Sequence, residues 1–158
     1  MTKTTLILAL DYGVKKMGMA IGNSITADAR PFDILAMNNG QPDWDNLLGI
    51  IETWKIDIVL VGLPLNMDGT DSMLSKRAAK FARRLSHRLG ERRSSASVFM
   101  YDERLSSAHA RTIALDNGWI KHESDPIDDI SACLLIDGYF HSPQFARHIT
   151  NYHDSHKD

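Results

Sequence analysis

The sequence contains a single cysteine, Cys133, and no apolar run long enough to cross a membrane. One thiol excludes an internal disulfide, and its place in an apolar segment predicts a small buried residue. A membrane-spanning helix needs about 20 apolar residues, so we expect no membrane partner. The apolar run at the amino terminus is short and leads directly into Asp11, which argues against a secretion signal. These absences favour a cytoplasmic protein.

The body of the chain also lacks a histidine and cysteine cluster of the kind that binds zinc, and it contains no repeat or low-complexity linker. Four of the seven histidines lie near the carboxyl terminus at irregular spacing in a polar segment. Such a segment is typical of a flexible terminus. The length of 158 residues suits one domain with a buried core. We predict one domain over residues 1–141 and a flexible tail over residues 142–158.

Acidic and basic residues nearly balance, since the formal net charge is only −2, but the basic residues are unevenly distributed. One short stretch holds eight basic residues against one acid, Glu91, and leaves the rest of the chain acidic. A local basic surface of this kind can bind phosphate although the whole protein is slightly negative. The eight residues are Lys76, Arg77, Lys80, Arg83, Arg84, Arg88, Arg92 and Arg93.

Hydrophobic periodicity predicts three short strands, then alternating helices and strands. The predicted strands cover residues 5–10, 17–22, 32–37, 56–63 and 97–101. The predicted helices cover residues 44–54, 70–89, 106–116 and about 125–140. For the second helix, Thr70 or Asp71 is the expected N-cap and Gly90 the expected end. This order predicts an α/β fold with a mixed five-stranded sheet and helices on both faces.

Three acids lie at the ends of separate predicted elements. Asp11 follows an apolar strand, Glu103 follows the last strand, and Asp128 lies in the first turn of the last helix. Each could be structural, as a strand-end group or a favourable charge at a helix N-terminus. Together they could converge at one edge of the sheet and bind a divalent metal. Mg²⁺ prefers oxygen ligands and needs no histidine or cysteine, so this site would suit phosphodiester cleavage.

A polar loop and several basic residues are candidate contacts for nucleic acid. The loop from Leu63 to Thr70 follows a predicted parallel strand, at the edge where open α/β sheets bind ligands. Its alternative role is a turn and helix cap. We list as candidate nucleic-acid contacts Lys15, Lys16, Asn66, Asp68, Thr70, Arg77, Arg84, Arg104 and Ser106.

Four stretches resemble the YqgF family, also called RuvX, a family of pre-16S rRNA nucleases and Holliday junction resolvase-like proteins. They are ALDYGVKKMGMAIG (9–22), IVLVGLPLNMDGT (58–70), DERLSS (102–107) and DDISA (128–132). The resemblance covers residues 5–140, and its GLPLNMDGT block is highly specific. It implies an RNase H-like fold related to RuvC resolvases.

The resemblance also implies a metal-dependent endonuclease that matures the 5′ end of 16S rRNA in ribosome biogenesis. Asp11, Glu103 and Asp128 fall on the family's acidic positions and would hold Mg²⁺ or Mn²⁺, with Asp68 as the alternative to Glu103. Ser131 stands where RuvC-type enzymes offer a further carboxylate. Precursor rRNA is the expected partner, and ribosomal particles are a further candidate. The alternatives are a resolvase acting on branched DNA, a non-catalytic RNA-binding factor and a nucleotide-binding phosphotransferase.

Overall fold

The computed structural model describes residues 4–103, 115–119, 121 and 130–152. Along these residues lie β1 (Leu6–Asp11), β2 (Lys16–Asn23), β3 (Asp28–Ala36), α1 (Trp44–Thr53), β4 (Ile58–Leu63), α2 (Met73–Glu91), β5 (Ser97–Asp102), α3 (Ser131–His141) and β6 (Arg147–His148). Two short 3-10 helices, Pro143–Phe145 and Ile149–Asn151, flank β6. All six strands form one sheet in the order β3-β2-β1-β4-β5-β6.

The sheet is mixed, as the sequence predicts. Strands β1, β2 and β3 form an antiparallel meander. Strand β4 lies parallel to β1 on one side and to β5 on the other. Because these three strands run in the same direction, their carboxyl ends meet at one edge of the sheet. We call this edge, formed by the ends of β1, β4 and β5, the carboxyl edge.

The sheet separates two hydrophobic cores, because successive side chains of a strand point to opposite faces. On one face, Leu8 and Leu10 pack with buried residues of α1 and α2. On the other, Ile7 and Ala9 pack with buried residues of α3, including Cys133. The prediction of helices on both faces is therefore confirmed. We call these the α2 face and the α3 face of the sheet.

The sheet has one strand more than the sequence predicts. The short strand β6 pairs antiparallel with Phe99 and Met100 of β5. Beyond β6, Ile149 and Tyr152 are buried in the core of the α2 face. Ordered packing thus continues to residue 152, past the expected start of the tail at residue 142. A strand of two residues is too short to show the alternating hydrophobic pattern that predicts the other strands.

The N-cap of helix α2 lies one or two residues later than the expected caps, Thr70 and Asp71. Its N-cap is Ser72, which accepts a hydrogen bond from the Ser75 amide, while the Ser75 hydroxyl accepts one from the Ser72 amide. This reciprocal pair is a capping box built from two serines. Helix α1 begins after Asp43 as predicted. The predicted helix 106–116 and the first part of the predicted last helix fall mainly outside the described residues. Within the described residues, no helix is long and apolar enough to cross a membrane.

Candidate active site

Asp11 and Glu103 come together at the carboxyl edge. Asp11 ends β1, and Glu103 directly follows β5, where its amide continues the ladder by donating to the Leu63 carbonyl at 3.1 Å. The alternation of side chains places both acids on the α3 face. Their carboxyl groups are joined by a side-chain hydrogen bond. The two acids are thus in contact although β4 lies between their strands.

Gly62 makes this contact possible. It lies on β4 between the two acids, next to Tyr101 in the register of β5. A Cβ atom built on Gly62 would collide with the carboxylate of Glu103, and would lie 3.0 Å from both Glu103 Cγ and Cδ. The Glu103 side chain therefore crosses the sheet over the space that Gly62 leaves open. Glycine inside a strand often marks such a close approach.

The carboxyl pair holds a proton. Burial of Glu103, its hydrogen bond with Asp11 and the negative charges of Asp11 and Asp102 raise the pKa of Glu103 from 4.5 to about 8. A hydrogen bond between two carboxyl groups needs a proton, and the raised pKa of Glu103 favours its presence in the pair. Two acids that share one partly buried position repel each other when both are ionised. The position is therefore one at which a cation would be stabilised.

The third predicted acid, Asp128, lies outside the described residues, as do Arg104 and Ser106. Among the residues that the structure describes, no group of three or more histidine, cysteine, aspartate or glutamate side chains could hold a metal. Cys133 is an unsuitable ligand, since it is buried and desolvation raises the pKa of its thiol to about 12. The roles of Asp128, Arg104 and Ser106 stay predictions.

The loop after β4 is organised by its own polar side chains. Asn66 Nδ2 donates to Thr70 Oγ1 at 3.0 Å, and the Thr70 hydroxyl donates to Asp68 Oδ1 at 2.6 Å. The Ser72 hydroxyl donates to the Pro64 carbonyl at 2.6 Å and so ties the start of α2 to the loop. Asp68 thus braces this loop, whereas Glu103 contacts Asp11. The contact favours Glu103 over Asp68 as the second acid.

The predicted basic residues that the structure describes lie in two places. Lys15 and Lys16 are exposed in and beside the turn between β1 and β2. Arg77 and Arg84 line a cavity of about 230 Å³ on the α2 face. The whole lining consists of Tyr12, Asn39, Gly40, Gln41, Trp44, Arg77, Lys80, Phe81 and Arg84. Asp11 and Tyr12 are consecutive, so the acidic pair and this cavity lie on opposite faces of one strand end.

Sequence reasoning missed Gly62, Tyr12 and the residues that complete the cavity. One signal could have identified Gly62, because it interrupts the aliphatic strand of residues 58–63. A glycine there weakens the strand unless another group must approach. No comparable sequence signal marks the cavity, because its lining residues come from parts of the chain that are distant in sequence. They come mainly from the end of β1, the loop after β3 and helix α2.

The end of α3 is tied to the sheet close to the acidic pair. Tyr101 is fully buried, and its hydroxyl donates to the carbonyls of Gly138 at 2.8 Å and Ser142 at 3.2 Å. Burial, followed by the charges of Asp102 and Asp137, raises the pKa of Tyr101. The phenol stays protonated and can keep donating. Helix α3 is thereby held against the strand from which Glu103 projects.

Comparison with solved structures defines the class. RuvC of Thermus thermophilus superposes on this chain with a TM-score of 0.63 and 10% sequence identity. The superposition covers 91% of this chain and 99% of the RuvC chain. T. thermophilus RuvC in complex with a Holliday junction substrate gives a TM-score of 0.60 at 12% identity with the same coverage. At such low identity the likeness concerns the fold alone. The fold is that of the RuvC-like, RNase H-type proteins, as predicted.

The particular family follows from the sequence. Residues 5–142 match the family model described as "RuvX: Holliday junction resolvase". A relative from Psychrobacter sp. (strain PRwf-1) named "Putative pre-16S rRNA nuclease" is 66% identical over 94% of this chain and 84% of its own. A relative of the same name from Pseudomonas savastanoi pv. phaseolicola is 43% identical over 88% of this chain and 93% of its own. The chain belongs to the RuvX family.

Proposed function

We propose that this chain is a metal-dependent endonuclease that cuts precursor 16S rRNA near its 5′ end, in the cytoplasm, during ribosome biogenesis. The hydrogen-bonded pair of Asp11 and Glu103 at the carboxyl edge carries the proposal. Two buried acids in contact repel each other when both are ionised, so the pair must bind either a proton or a cation. Functional sites are where such perturbed groups concentrate.

The donor set suits Mg²⁺ or Mn²⁺. Asp11 and Glu103 offer only oxygen ligands, and Asp128 is the proposed third acid. When bound, the metal would supply activation of water and neutralisation of charge on the phosphate. The proton of Glu103 would have to leave when the metal binds, because a coordinating carboxylate is ionised.

The chain itself would position the substrate. Gly62 has no side chain, so the Glu103 carboxyl group can cross β4 and reach Asp11. Tyr101 and α3 fix one wall of this position. The braced loop of Asn66, Asp68 and Thr70 lies at the end of β4 and, with Lys15 and Lys16, is proposed to contact the nucleic-acid backbone. Arg104 and Ser106 are proposed to do the same.

The choice of RNA as substrate is supported by the names of relatives at 43–70% identity. The family description and the RuvC fold support branched DNA as the alternative. These two substrates differ in whether cleavage must occur symmetrically on two strands. A resolvase would therefore have to act as a dimer.

The test is cleavage of a 16S precursor fragment and of a four-way DNA junction by the same preparation, with Mg²⁺, with Mn²⁺ and with a chelator. We expect metal-dependent cuts near the mature 5′ end of the RNA, and loss of several orders of magnitude for Asp11→Asn. Symmetric cleavage of the junction with intact RNA would establish the alternative. RNA binding without cleavage, unchanged in Asp11→Asn, would identify a non-catalytic factor instead.

A further inference from the structure

The cavity on the α2 face is lined by three cations from one side of helix α2. Arg77, Lys80 and Arg84 are spaced three and four residues apart, so they project from the same side. None of the described lining residues is acidic. The cavity therefore concentrates positive charge in a recess rather than spreading it over a flat surface, which strengthens attraction for an anion.

The wall opposite α2 is built to hold one of these cations in place. Arg77 Nη2 donates to the Asn39 carbonyl at 2.8 Å, and the Tyr12 hydroxyl donates to the Gly40 carbonyl at 2.8 Å. Gly40 has a φ of +85°, and a Cβ there would lie 2.7 Å from Arg77 Nη2. A glycine thus allows the guanidinium to pack against the loop. A preorganised arginine loses less conformational freedom when it binds a ligand.

The aromatic residues of the cavity are engaged within the protein. Trp44 stacks with Phe81 at a ring distance of 5.5 Å and 21°, and the Arg88 guanidinium lies 4.4 Å from the centre of the Trp44 ring. Tyr12 and Phe81 are buried. Stacking of an unpaired base, the usual use of exposed aromatics in nucleic-acid binding, would have to displace these contacts. What the cavity offers a ligand is therefore N–H donors and positive charge.

The size of the cavity indicates one small group. Pockets for small molecules usually measure about 300–1,000 Å³, and this one measures about 230 Å³. A phosphate group with a few waters fits that volume better than a whole dinucleotide. Arginine and lysine are the residues that bind phosphate by charge-assisted hydrogen bonds.

We propose that the cavity formed by Arg77, Lys80 and Arg84 with the loop of residues 39–41 is a phosphate-binding pocket. It holds a backbone phosphate of the substrate strand on the face opposite the two acids. The inference rests on the proposed function. The end of β1 connects the two sites, because Asp11 and Tyr12 are consecutive residues whose Cα atoms lie about 3.8 Å apart. A strand that crosses the carboxyl edge to reach Asp11 would run beside the strand end whose next residue, Tyr12, lines the cavity.

The first experiment tests the cavity without nucleic acid. Inorganic phosphate is titrated into the full chain, and backbone amide and indole resonances are followed by NMR. We expect saturable shifts at Gly40, Gln41 and the Trp44 indole, and their loss in Lys80→Gln/Arg84→Gln. Shifts of equal size across all exposed basic residues, or none at these three residues, would overturn the pocket.

The second experiment tests the source of the phosphate. Binding of a labelled precursor RNA is measured in the cleavage-deficient Asp11→Asn background between about 50 and 200 mM salt. The cavity pair Lys80→Gln/Arg84→Gln is compared with Arg30→Gln/Lys55→Gln, which also removes one arginine and one lysine. Arg30 lies on β3, and Lys55 precedes β4 at the opposite edge of the sheet. Neither control residue lines the cavity.

We expect the cavity pair to weaken RNA binding about tenfold or more and to lower the slope of log Kd against log salt by about one. The control pair should change affinity less than about twofold. Equal affinities for the two pairs would overturn the assignment to substrate, even if inorganic phosphate binds, and would indicate a site for a free anion. If the Asp11→Asn chain with an intact cavity binds no RNA, the proposed function fails as well. The NMR titration would still show whether the pocket binds phosphate.

Discussion

The two faces of the carboxyl edge carry opposite charge. On the α3 face, Asp11 and Glu103 share a proton across the space above Gly62. On the α2 face, arginine and lysine side chains of α2 line a recess beside Tyr12. One strand end supplies both, since Asp11 and Tyr12 are neighbours in sequence. The alternation of a β-strand is thus enough to separate an acidic site from a basic one.

This separation has a physical use. A cation at the acid pair and a phosphate at the basic recess can both be bound only if the two fields do not cancel. Direct ion pairs between the acids and the basic residues would neutralise both sites, because opposite charges in contact are strongly attracted. The sheet edge keeps the two groups apart while leaving them within reach of one nucleic-acid strand.

The largest effect is expected at the acids. Glu103→Gln and Asp102→Asn each replace a carboxyl group with an amide, at adjacent residues whose side chains alternate between the two faces. We expect cleavage to fall about a thousandfold or more for Glu103→Gln and less than about tenfold for Asp102→Asn. Single-turnover cleavage of precursor RNA measures both, and circular dichroism confirms folding. Similar losses in the two variants would contradict a role specific to the α3 face.

A smaller loss is expected when the space between the acids is filled. Gly62→Ala places a methyl group against Glu103 and should displace its carboxylate, so we expect cleavage to fall about a hundredfold. RNA affinity should change less than about twofold, because none of the proposed RNA contacts is altered. The matched control is Gly49→Ala on α1, where an added Cβ meets nothing within 4 Å. That variant should stay active and gain up to about 1 kcal/mol of stability.

The residues of the acid pair are predictable from the sequence, but their contact is not. Asp11 and Glu103 are identifiable as acids at strand ends, and the helical and strand periodicities predict most elements and both helix layers. Their contact is not predictable, because it depends on β4 lying between β1 and β5 and on an open position at residue 62. Likewise, Ser72 caps α2 because Thr70 is bonded to Asp68 in the preceding loop. Local patterns predict elements, whereas these choices depend on neighbours in space.

The shared proton predicts a pH dependence of stability in the metal-free chain. The pKa of Glu103 is about 8 in the folded chain against an ordinary value of 4.5. Its contribution to stability is complete below about pH 4.5 and is lost as the pH rises through 8. Glu103→Gln removes this loss, so we expect its stability relative to the wild type to be higher at pH 8.5 than at pH 5.

The measurement is urea unfolding in a chelator at pH 5 and pH 8.5. The difference in stability between Glu103→Gln and the wild type should grow with pH. Asp102→Asn serves again as the control, since it removes a neighbouring charge without removing the shared proton. A difference between Glu103→Gln and the wild type that is constant across the pH range would contradict a proton held by the acid pair.

The smallest effect compares two tyrosines, one on each face. Tyr101 donates to carbonyls at the end of α3, and Tyr12 donates to the Gly40 carbonyl beside the cavity. Each change to phenylalanine removes a buried hydrogen bond and should lower the free energy of unfolding by about 1 kcal/mol. Only Tyr12→Phe should also weaken RNA binding, by about threefold, because its hydroxyl fixes the loop that holds Arg77. Denaturant unfolding and RNA titration of both variants separate the two roles. Equal RNA affinities would mean that the loop keeps its position without this hydrogen bond, so that α2 alone would set the binding strength of the basic face.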